Sequence, residues 1–555
     1  MQGLMFDSQL LLHSLLWRTE RLFAEKEIIT RVGPGRYHRY TYRDFGKRVR
    51  RLGDALRKLG MRRGDRVGTL AWNNHRHLEA YFAVPGIQGV LHTINLRLSP
   101  AQQKFTIDKV EDRVLLVDED QLDLVAQLVD AGLPSVERVI VFCDGPVPDH
   151  KIPLPVDSYE ELLADADETI EFGEFDEKTA SAMCFTSATT GDPKGVVYSH
   201  RAMVLQAMCL AMHDKLNMSE HQVWLEVAPM FHCNGWNIPH TALLQGATLV
   251  LPGAHPLPAD YLDIIEDLGV TGMNAAVTIG TMIRDAVRAA DRPRDLSTLS
   301  TLWLGGQAPS KAVMQWFNDE YDCEVMQGYG MTENSPQICF FALKSTLAGG
   351  TEDEIYTLRQ TQGLPIPLMQ IKVVDQESGE ELPWDGASVG DFFVRSPFTA
   401  SEYYRDERTK DSMIDGWLKT GDVGCIDPEG YVHLKDRSKD LIKSGGEWIS
   451  TIDLENSLML HPKVAEATVV GIEDERWLER PLACVVRADP SLTETELRDH
   501  LLAQGFVKFW VPDQFLFVPQ VPKTSVGKYD KKAIRGVVAD GGLDLAREKL
   551  GAASA

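Results

Sequence analysis

Val67-Gly68-Thr69-Leu70-Ala71, His75 to Gln88, Val114-Leu115-Leu116-Val117, Gln121 to Asp130 and Val139-Ile140-Val141-Phe142-Cys143 follow one another along the chain. Short β-branched runs alternate here with stretches of helical length. A strand, a covering helix and a second strand return the chain to the sheet in the same direction, so this rhythm predicts a parallel sheet with helices on its faces. The rhythm returns at Thr248 to Leu251 followed by Pro258 to Leu268, and at Leu302 to Leu304 followed by Ser310 to Tyr321. The expected class is α/β, with two parallel-sheet βα subdomains in one large N-terminal region.

After Asp391 the texture changes to short strands and turns. Phe392 to Arg395, the Asp415-Gly416-Trp417 turn, and Tyr431 to Lys435 behind Pro428-Glu429-Gly430 predict a small β unit. Beyond Asp436-Arg437, helices are expected near Ser450 to Leu460 and Thr493 to Gln504, and strands near Ala467 to Val470 and Leu482 to Val486. That is a small α+β C-terminal domain. At the other end, Met1 to Leu16 is apolar but broken by Asp7, Ser8 and His13, and it lacks a basic leader and a small-residue cleavage site. It reads as an amphipathic first helix.

The 555 residues are 44% hydrophobic and 25% charged, with a mean hydropathy of -0.19. No apolar run reaches the roughly 18 to 20 residues that a bilayer crossing needs. The eight cysteines stand singly, without the paired spacings of zinc or redox sites, so a reduced cytoplasmic chain is expected. A formal net charge of -24 repels nucleic acid and anionic membranes alike. Any polyanionic ligand must therefore be held by local basic groups and backbone N–H donors near glycine-rich turns.

One segment has that make-up. Phe185-Thr186-Ser187-Ala188-Thr189-Thr190-Gly191-Asp192-Pro193-Lys194-Gly195 packs four hydroxyl side chains, two glycines and a lysine into one turn after the apolar Ala182-Met183-Cys184. Hydroxyls and turn N–H groups donate to phosphoryl oxygens, Gly191 and Gly195 permit close backbone approach, and Lys194 adds positive charge. The Walker A spacing is absent, which excludes a P-loop NTPase. By its residues alone the turn reads equally as an ordinary loop.

Five further motifs decide between those readings. The turn resembles the phosphate loop of the adenylate-forming superfamily, which includes acyl-CoA synthetases, amino-acid adenylation domains and luciferases. Gln327-Gly328-Tyr329-Gly330-Met331-Thr332-Glu333 resembles that family's adenine motif, and Thr420-Gly421-Asp422 its ribose motif. Asp436-Arg437-Ser438-Lys439-Asp440 resembles the hinge, Lys443-Ser444-Gly445-Gly446-Glu447 the CoA-side glycine turn, and Pro522 to Lys528 the C-terminal lysine motif. The resemblance runs from about Trp17 to Arg535 and is closest to bacterial medium- and long-chain fatty acyl-CoA synthetases. It implies a large adenylation domain over residues 1–435, a hinge at 436–437 centred on Asp436, and a small mobile C-terminal domain over 438–555.

The resemblance also assigns roles. Thr186, Ser187, Thr189, Thr190, Gly191 and Lys194 would hold phosphate, and Gln327, Gly328, Tyr329, Gly330, Thr332, Asp422 and Arg437 the rest of ATP or AMP. Tyr329 offers a flat ring for adenine, although an aromatic between glycines equally caps a core. Asp422 suits ribose hydroxyls, or is a plain turn Asp. Glu333 and Thr189 would hold Mg²⁺, with a helix N-cap as the alternative for Glu333. Lys528 would approach the α-phosphate. Lys443, Gly445, Gly446, Glu447 and Trp448 would face CoA.

Pro229-Met230-Phe231-His232-Cys233-Asn234-Gly235-Trp236 resembles the acyl-side motif. His232 is either a catalytic-side group or a satisfied core histidine, and Trp236 resembles a gate on an acyl tunnel. Amino-acid adenylation domains carry an acid in this segment. None stands here, which disfavours an amino-acid substrate. The implied catalytic set is Lys528, Thr189, Glu333 and His232, and the implied co-substrates are ATP and CoA, with a small carboxylic acid as the third partner. An aryl or short thioether acid, luciferase-like chemistry and a non-catalytic nucleotide-binding protein are the competing readings. Ala188, where the family usually has Gly, and Thr278, where it usually has Pro, depart from the pattern. The sequence leaves a homodimer open.

Overall fold

The computed structural model describes residues 1, 3–186, 192–437, 440–444, 447–474, 476–523 and 529–551. Ser187, Ala188, Thr189, Thr190, Gly191, Gly445, Gly446 and Lys528 lie outside the described residues, and for Glu447 and Trp448 only the backbone is described.

The alternation read at Val67 to Cys143 builds a seven-stranded sheet in the order Val156–Ser158, Arg138–Phe142, Val114–Asp118, Arg66–Leu70, Val90–Thr93, Ala180–Phe185, Gly195–Ser199. Its strands run parallel until the last, which folds back antiparallel on Ala180–Phe185. Between Val67 and Cys143 the strand Val90–Thr93 and the helix Pro100–Val110 escape the sequence pattern, as do Val156–Ser158, Tyr159–Ala164 and Gly195–Ser199 beyond it. Val90–Thr93 is four residues long and carries His92, whose Nδ1 meets Asp112 Oδ2 at 2.7 Å with both groups buried. A buried polar pair inside so short a run hides its apolar character.

The second sheet has nine strands. Its centre, Glu324–Gly330, Thr301–Gly305, Gly272–Ala276, Val223–Glu226, Thr248–Leu251 and Glu27–Gly33, is parallel, with antiparallel strands at both edges. Helices Pro258–Leu268 and Lys311–Tyr321 appear where the periodicity places them. Ser310 caps the second of these by accepting from the Val313 N–H. The β unit contains Gln370–Val374, Gly390–Arg395, Trp417–Ile426 and Val432–Arg437.

The smaller C-terminal domain pairs Val464–Asp474 with Leu478–Arg487 and sets helices Thr451–Met459 and Glu494–Ala503 against a core of its own. Thr493 and Glu496 close a reciprocal capping box at the start of the second helix. The chain is therefore a mixed α/β fold with a large N-terminal and a small C-terminal domain. Among the described residues no helix is long and apolar enough to cross a membrane.

The expected helix over Met1 to Leu16 is corrected: the first helix is His13–Leu22. Upstream, the Leu10 N–H donates to Glu177 Oε2 at 2.9 Å and the Leu12 N–H to His200 Nδ1 at 3.1 Å. Side chains of the seven-stranded subdomain take the donors that a helix would have used. Leu15 and Leu16, 4% and 1% exposed, then pin the helix to the core, each contributing about 1.5 to 3 kcal/mol.

Candidate active site

The C-terminal edges of the second sheet, the end of Ala180–Phe185 and the β unit meet around a cavity of about 720 Å³. A crevice of about 210 Å³ continues from it, between the large and small domains. Gly306, Gln307, Gly328, Gly330 and Arg437 line both.

The residues on either side of the 187–191 segment are held together. The Thr186 N–H donates to the Lys194 carbonyl at 3.0 Å, and the Lys194 N–H to Thr186 Oγ1 at 3.1 Å. Arg408 donates to the Asp192 carbonyl at 3.0 Å. Lys194 Nζ lies 4.4 Å from the centre of the Tyr403 ring, and the Tyr403 hydroxyl donates to Glu333 Oε1 at 2.6 Å. Burial raises the Glu333 carboxyl above the ordinary range, opposed by the Tyr403 hydrogen bond and the Lys194 charge. Burial lowers the Lys194 ammonium, opposed by Glu333. A cation and an anion thus share one wall, each short of solvation, a setting that favours an anionic ligand beside one and a cation beside the other.

Mg²⁺ keeps several waters and takes one or two carboxylates plus phosphate oxygens. No group of three or more His, Cys, Asp or Glu suited to a metal occurs among the described residues. Glu333, 5% exposed on the cavity wall, fits a Mg²⁺ that takes one protein carboxylate and leaves the rest to phosphate and water.

Tyr329 and Asp422 line the crevice. The Tyr329 hydroxyl donates to Asp422 Oδ2 at 2.5 Å, and Arg437 Nε stands 3.3 Å from Asp422 Oδ1. The ring is 8% exposed, so its hydroxyl is fixed by the acid that the ribose motif supplies. Gln327, 3% exposed, lines the same crevice, and its Oε1 has no partner among the described residues.

His232, Cys233 and Trp236 line the large cavity at its other end, together with Thr278, Trp303 and Gly305. Cys233, Asn234, Gly235, Trp236 and Asn237 have φ of 48, 50, 59, 51 and 64°. This is one left-handed turn, whose non-glycine residues cost about 1 to 2 kcal/mol each. It is held from below: Asn234 Oδ1 accepts from Cys184 Sγ at 2.8 Å, and Asn237 Nδ2 donates to the Met203 carbonyl at 2.9 Å. The turn aims the Trp236 ring at Trp303, with centroids 5.0 Å apart, over Gly305. A Cβ on Gly305 would come within 2.9 Å of that ring.

Asp436 Oδ2 accepts from the Thr451 N–H at 2.9 Å and the Thr451 hydroxyl at 2.5 Å, which ties the end of Val432–Arg437 to the first helix of the small domain. Lys531 salt-bridges Glu455 at 2.8 Å beside it. Burial pushes the Asp436 carboxyl up to about 6, against the pull of Lys531. Since an unfolded Asp titrates near about 3.9, the folded protein holds this proton more tightly. The group's contribution to stability is full below about pH 4 and falls as pH rises to about 6. Asp436→Asn stays uncharged throughout. Its melting temperature relative to wild type is expected to climb across that window and level off above it. A flat difference would show that Asp436 does not ionise there.

Sequence reasoning missed Trp303, Gln307, Gln337, Tyr403 and Arg408, all on the cavity wall. Gly305-Gly306 behind the strand Thr301–Gly305 was a visible signal for Gln307. Tyr403 had none, because it reaches Glu333 from 70 residues away.

Two parallel sheets, a β unit and a small α+β domain that meet over one cleft define an enzyme of the adenylate-forming superfamily. The chain belongs to the AMP-binding enzyme family, whose description matches residues 16–404, with the AMP-binding enzyme C-terminal domain matching 453–528. It is 43% identical over 533 residues, 96% of each chain, to a long-chain-fatty-acid–CoA ligase of Thermus thermophilus. A 3-methylmercaptopropionyl-CoA ligase of Ruegeria lacuscaerulensis is 38% identical over 97% of this chain and 99% of its own. Among solved structures, an anthranilate CoA ligase in complex with anthranoyl-AMP superposes with a TM-score of 0.84 at 25% identity, covering 95% of this chain and 97% of its own.

Proposed function

We propose that the chain is an ATP-dependent acyl-CoA synthetase, an AMP-forming acid–thiol ligase that activates a carboxylic acid as acyl-AMP and passes the acyl group to CoA. The observation that carries this reading is the continuity of the Lys194–Glu333 wall and the Trp236 pocket in one cavity. A carboxylate and an α-phosphorus must meet for adenylation, and the relatives named above are CoA ligases. The Thermus relative supports a fatty acid as substrate, and the Ruegeria relative supports a short thioether acid as the second reading.

In the first half-reaction the carboxylate attacks the α-phosphorus and pyrophosphate leaves. Thr186, Lys194 and the intervening hydroxyls hold phosphate. Asp422, fixed by Tyr329 and Arg437, accepts from ribose, while Gln327 and Tyr329 line the base side. Glu333 is the protein group that would hold Mg²⁺, with Thr189, and the ion when bound supplies positive charge to the phosphate oxygens. Lys528 supplies the remaining charge where the pentacovalent phosphorus forms. His232 and Trp236 border the acyl side.

The second half-reaction needs the small domain, residues 438–555, to turn about Asp436 and Arg437 against residues 1–435. Lys443, Gly445, Gly446, Glu447 and Trp448 would then face pantetheine. Tyr529 and Lys531, which follow the lysine motif, line the crevice, whereas Lys443 and Ser444 line neither cavity. That placement supports the adenylating orientation as the one described here. The eight cysteines are all free and buried, which supports a cytoplasmic setting.

Pyrophosphate release on mixing an acid with ATP and Mg²⁺ tests the reading, over a panel from acetate to palmitate plus benzoate. Acid-dependent release is expected without CoA, and thioester only with it. Absence of acid-dependent release across the whole panel would leave a non-catalytic nucleotide-binding protein.

A further inference from the structure

Two indoles close the acyl end of the large cavity. Trp303, on the strand Thr301–Gly305 and 1% exposed, packs between Trp236 and Phe340, with centroids at 5.0 and 5.4 Å. Packing accounts for the ring but not for its N–H. Trp303 Nε1 is buried and has no hydrogen-bond partner among the described residues. The other fully buried indole is satisfied: Trp224, 0% exposed, donates to Asn274 Oδ1 at 2.9 Å. A buried donor without an acceptor is costly, and one that borders a ligand cavity points to an acceptor on the ligand.

A second donor lies beside it. Gly328, next to Gly305 across the parallel strands, lines the same cavity. A Cβ on Gly328 would stand 2.5 Å from Trp303 Nε1 and 2.5 Å from Gln337 Nε2, so both nitrogens crowd the space above this glycine and lie within reach of one shared acceptor. Gln337, 2% exposed, gives one amide hydrogen to the Cys339 carbonyl and keeps a second. This wall therefore presents donors where an all-hydrocarbon tail has nothing to accept.

We infer that the acid this site prefers carries an ether-type oxygen acceptor in its tail, seated against Trp303 Nε1 and Gln337 Nε2. The inference rests on the acyl-CoA synthetase reading and narrows its substrate class. Without those donors, an ether oxygen moved from water into the pocket would lose its hydrogen bonds, and the alkyl acid of equal length would win. With them, the order reverses.

Matched pairs of equal chain length read this directly: 3-methoxypropanoate against pentanoate, 4-methoxybutanoate against hexanoate, and 5-methoxypentanoate against heptanoate. The readout is kcat/KM for acid-dependent pyrophosphate release by the full chain. At one length the ether acid is expected to exceed its alkyl partner about tenfold. Trp303→Phe, which keeps an aromatic ring and removes the N–H, is expected to abolish or invert that preference. Gln337→Met, close in volume, is expected to weaken it, and serves should the Trp303 variant fail to fold. Alkyl acids preferred at every length, or an ether preference untouched by both substitutions, would overturn the inference while leaving the ligase reading intact. No turnover of any acid would instead remove the ligase reading itself.

Discussion

Glu333→Gln lowers acid-dependent pyrophosphate release about 10²- to 10³-fold, the cost expected when one preorganised charge is taken from a phosphoryl-transfer centre. Glutamine has the same shape and still offers an oxygen to the Tyr403 hydroxyl, so the 2.6 Å contact has a replacement acceptor. What disappears is the negative charge on the wall shared with Lys194. Burial already disfavours the Lys194 ammonium, and Glu333 is the largest opposing influence, so the substitution weakens the phosphate-side cation as well. Tyr403→Phe, which leaves the charge in place, should cost no more than about tenfold. Transfer to CoA from a synthetic acyl-adenylate bypasses the step and should fall far less. Wild-type pyrophosphate release by the Gln variant at saturating Mg·ATP would move Glu333 out of the reaction and back to the structural, helix-capping reading.

Several long runs were legible, although the helices Tyr42–Lys58 and Lys531–Gly551 were not read. Pro258–Leu268 and Lys311–Tyr321 stand where alternation puts them, as do Thr451–Met459 and Glu494–Ala503 of the small domain. Other misses came where local pattern competes with a distant partner. The N-terminal apolar stretch is held in non-helical form by Glu177 and His200, which come from far along the chain. His92 disguises a central strand because its satisfaction depends on Asp112, 20 residues later.

The site was legible by its motifs and illegible by its walls. Tyr329 and Asp422 were assigned separate roles from separate motifs, yet the structure makes them one hydrogen-bonded unit, 93 residues apart in sequence. The left-handed turn at Cys233 to Asn237 left only a faint trace, in the Asn-Gly and Asn residues that tolerate positive φ. Nothing in the sequence announces that Trp236 and Trp303 face each other, since strand order alone brings them together. The same holds for Gly328, whose missing Cβ makes room for two donors that the glycine-rich motif does not foretell.

Lys528→Ala should separate the two half-reactions. Lys528 itself lies outside the described residues, but Lys523 and Tyr529 on either side of its segment pair as an antiparallel bridge. Tyr529 lines the crevice that holds Tyr329 and Asp422. The proposed role of Lys528, charge at the α-phosphate, predicts that losing the contact costs about 3 to 4 kcal/mol of barrier, near 10² to 10³ in rate. Pyrophosphate release should fall by that factor, while thioester formation from synthetic acyl-adenylate stays largely intact. Gly446→Leu should do the opposite, because in the proposed CoA-side role of that turn a bulky side chain would crowd the pantetheine path and leave the phosphates untouched. Both assays are needed on both variants, with circular dichroism to exclude misfolding. Equal losses in both half-reactions for both variants would mean that the lysine motif and the glycine turn do not take turns at one site, and rotation of the small domain about Asp436 would have to be abandoned.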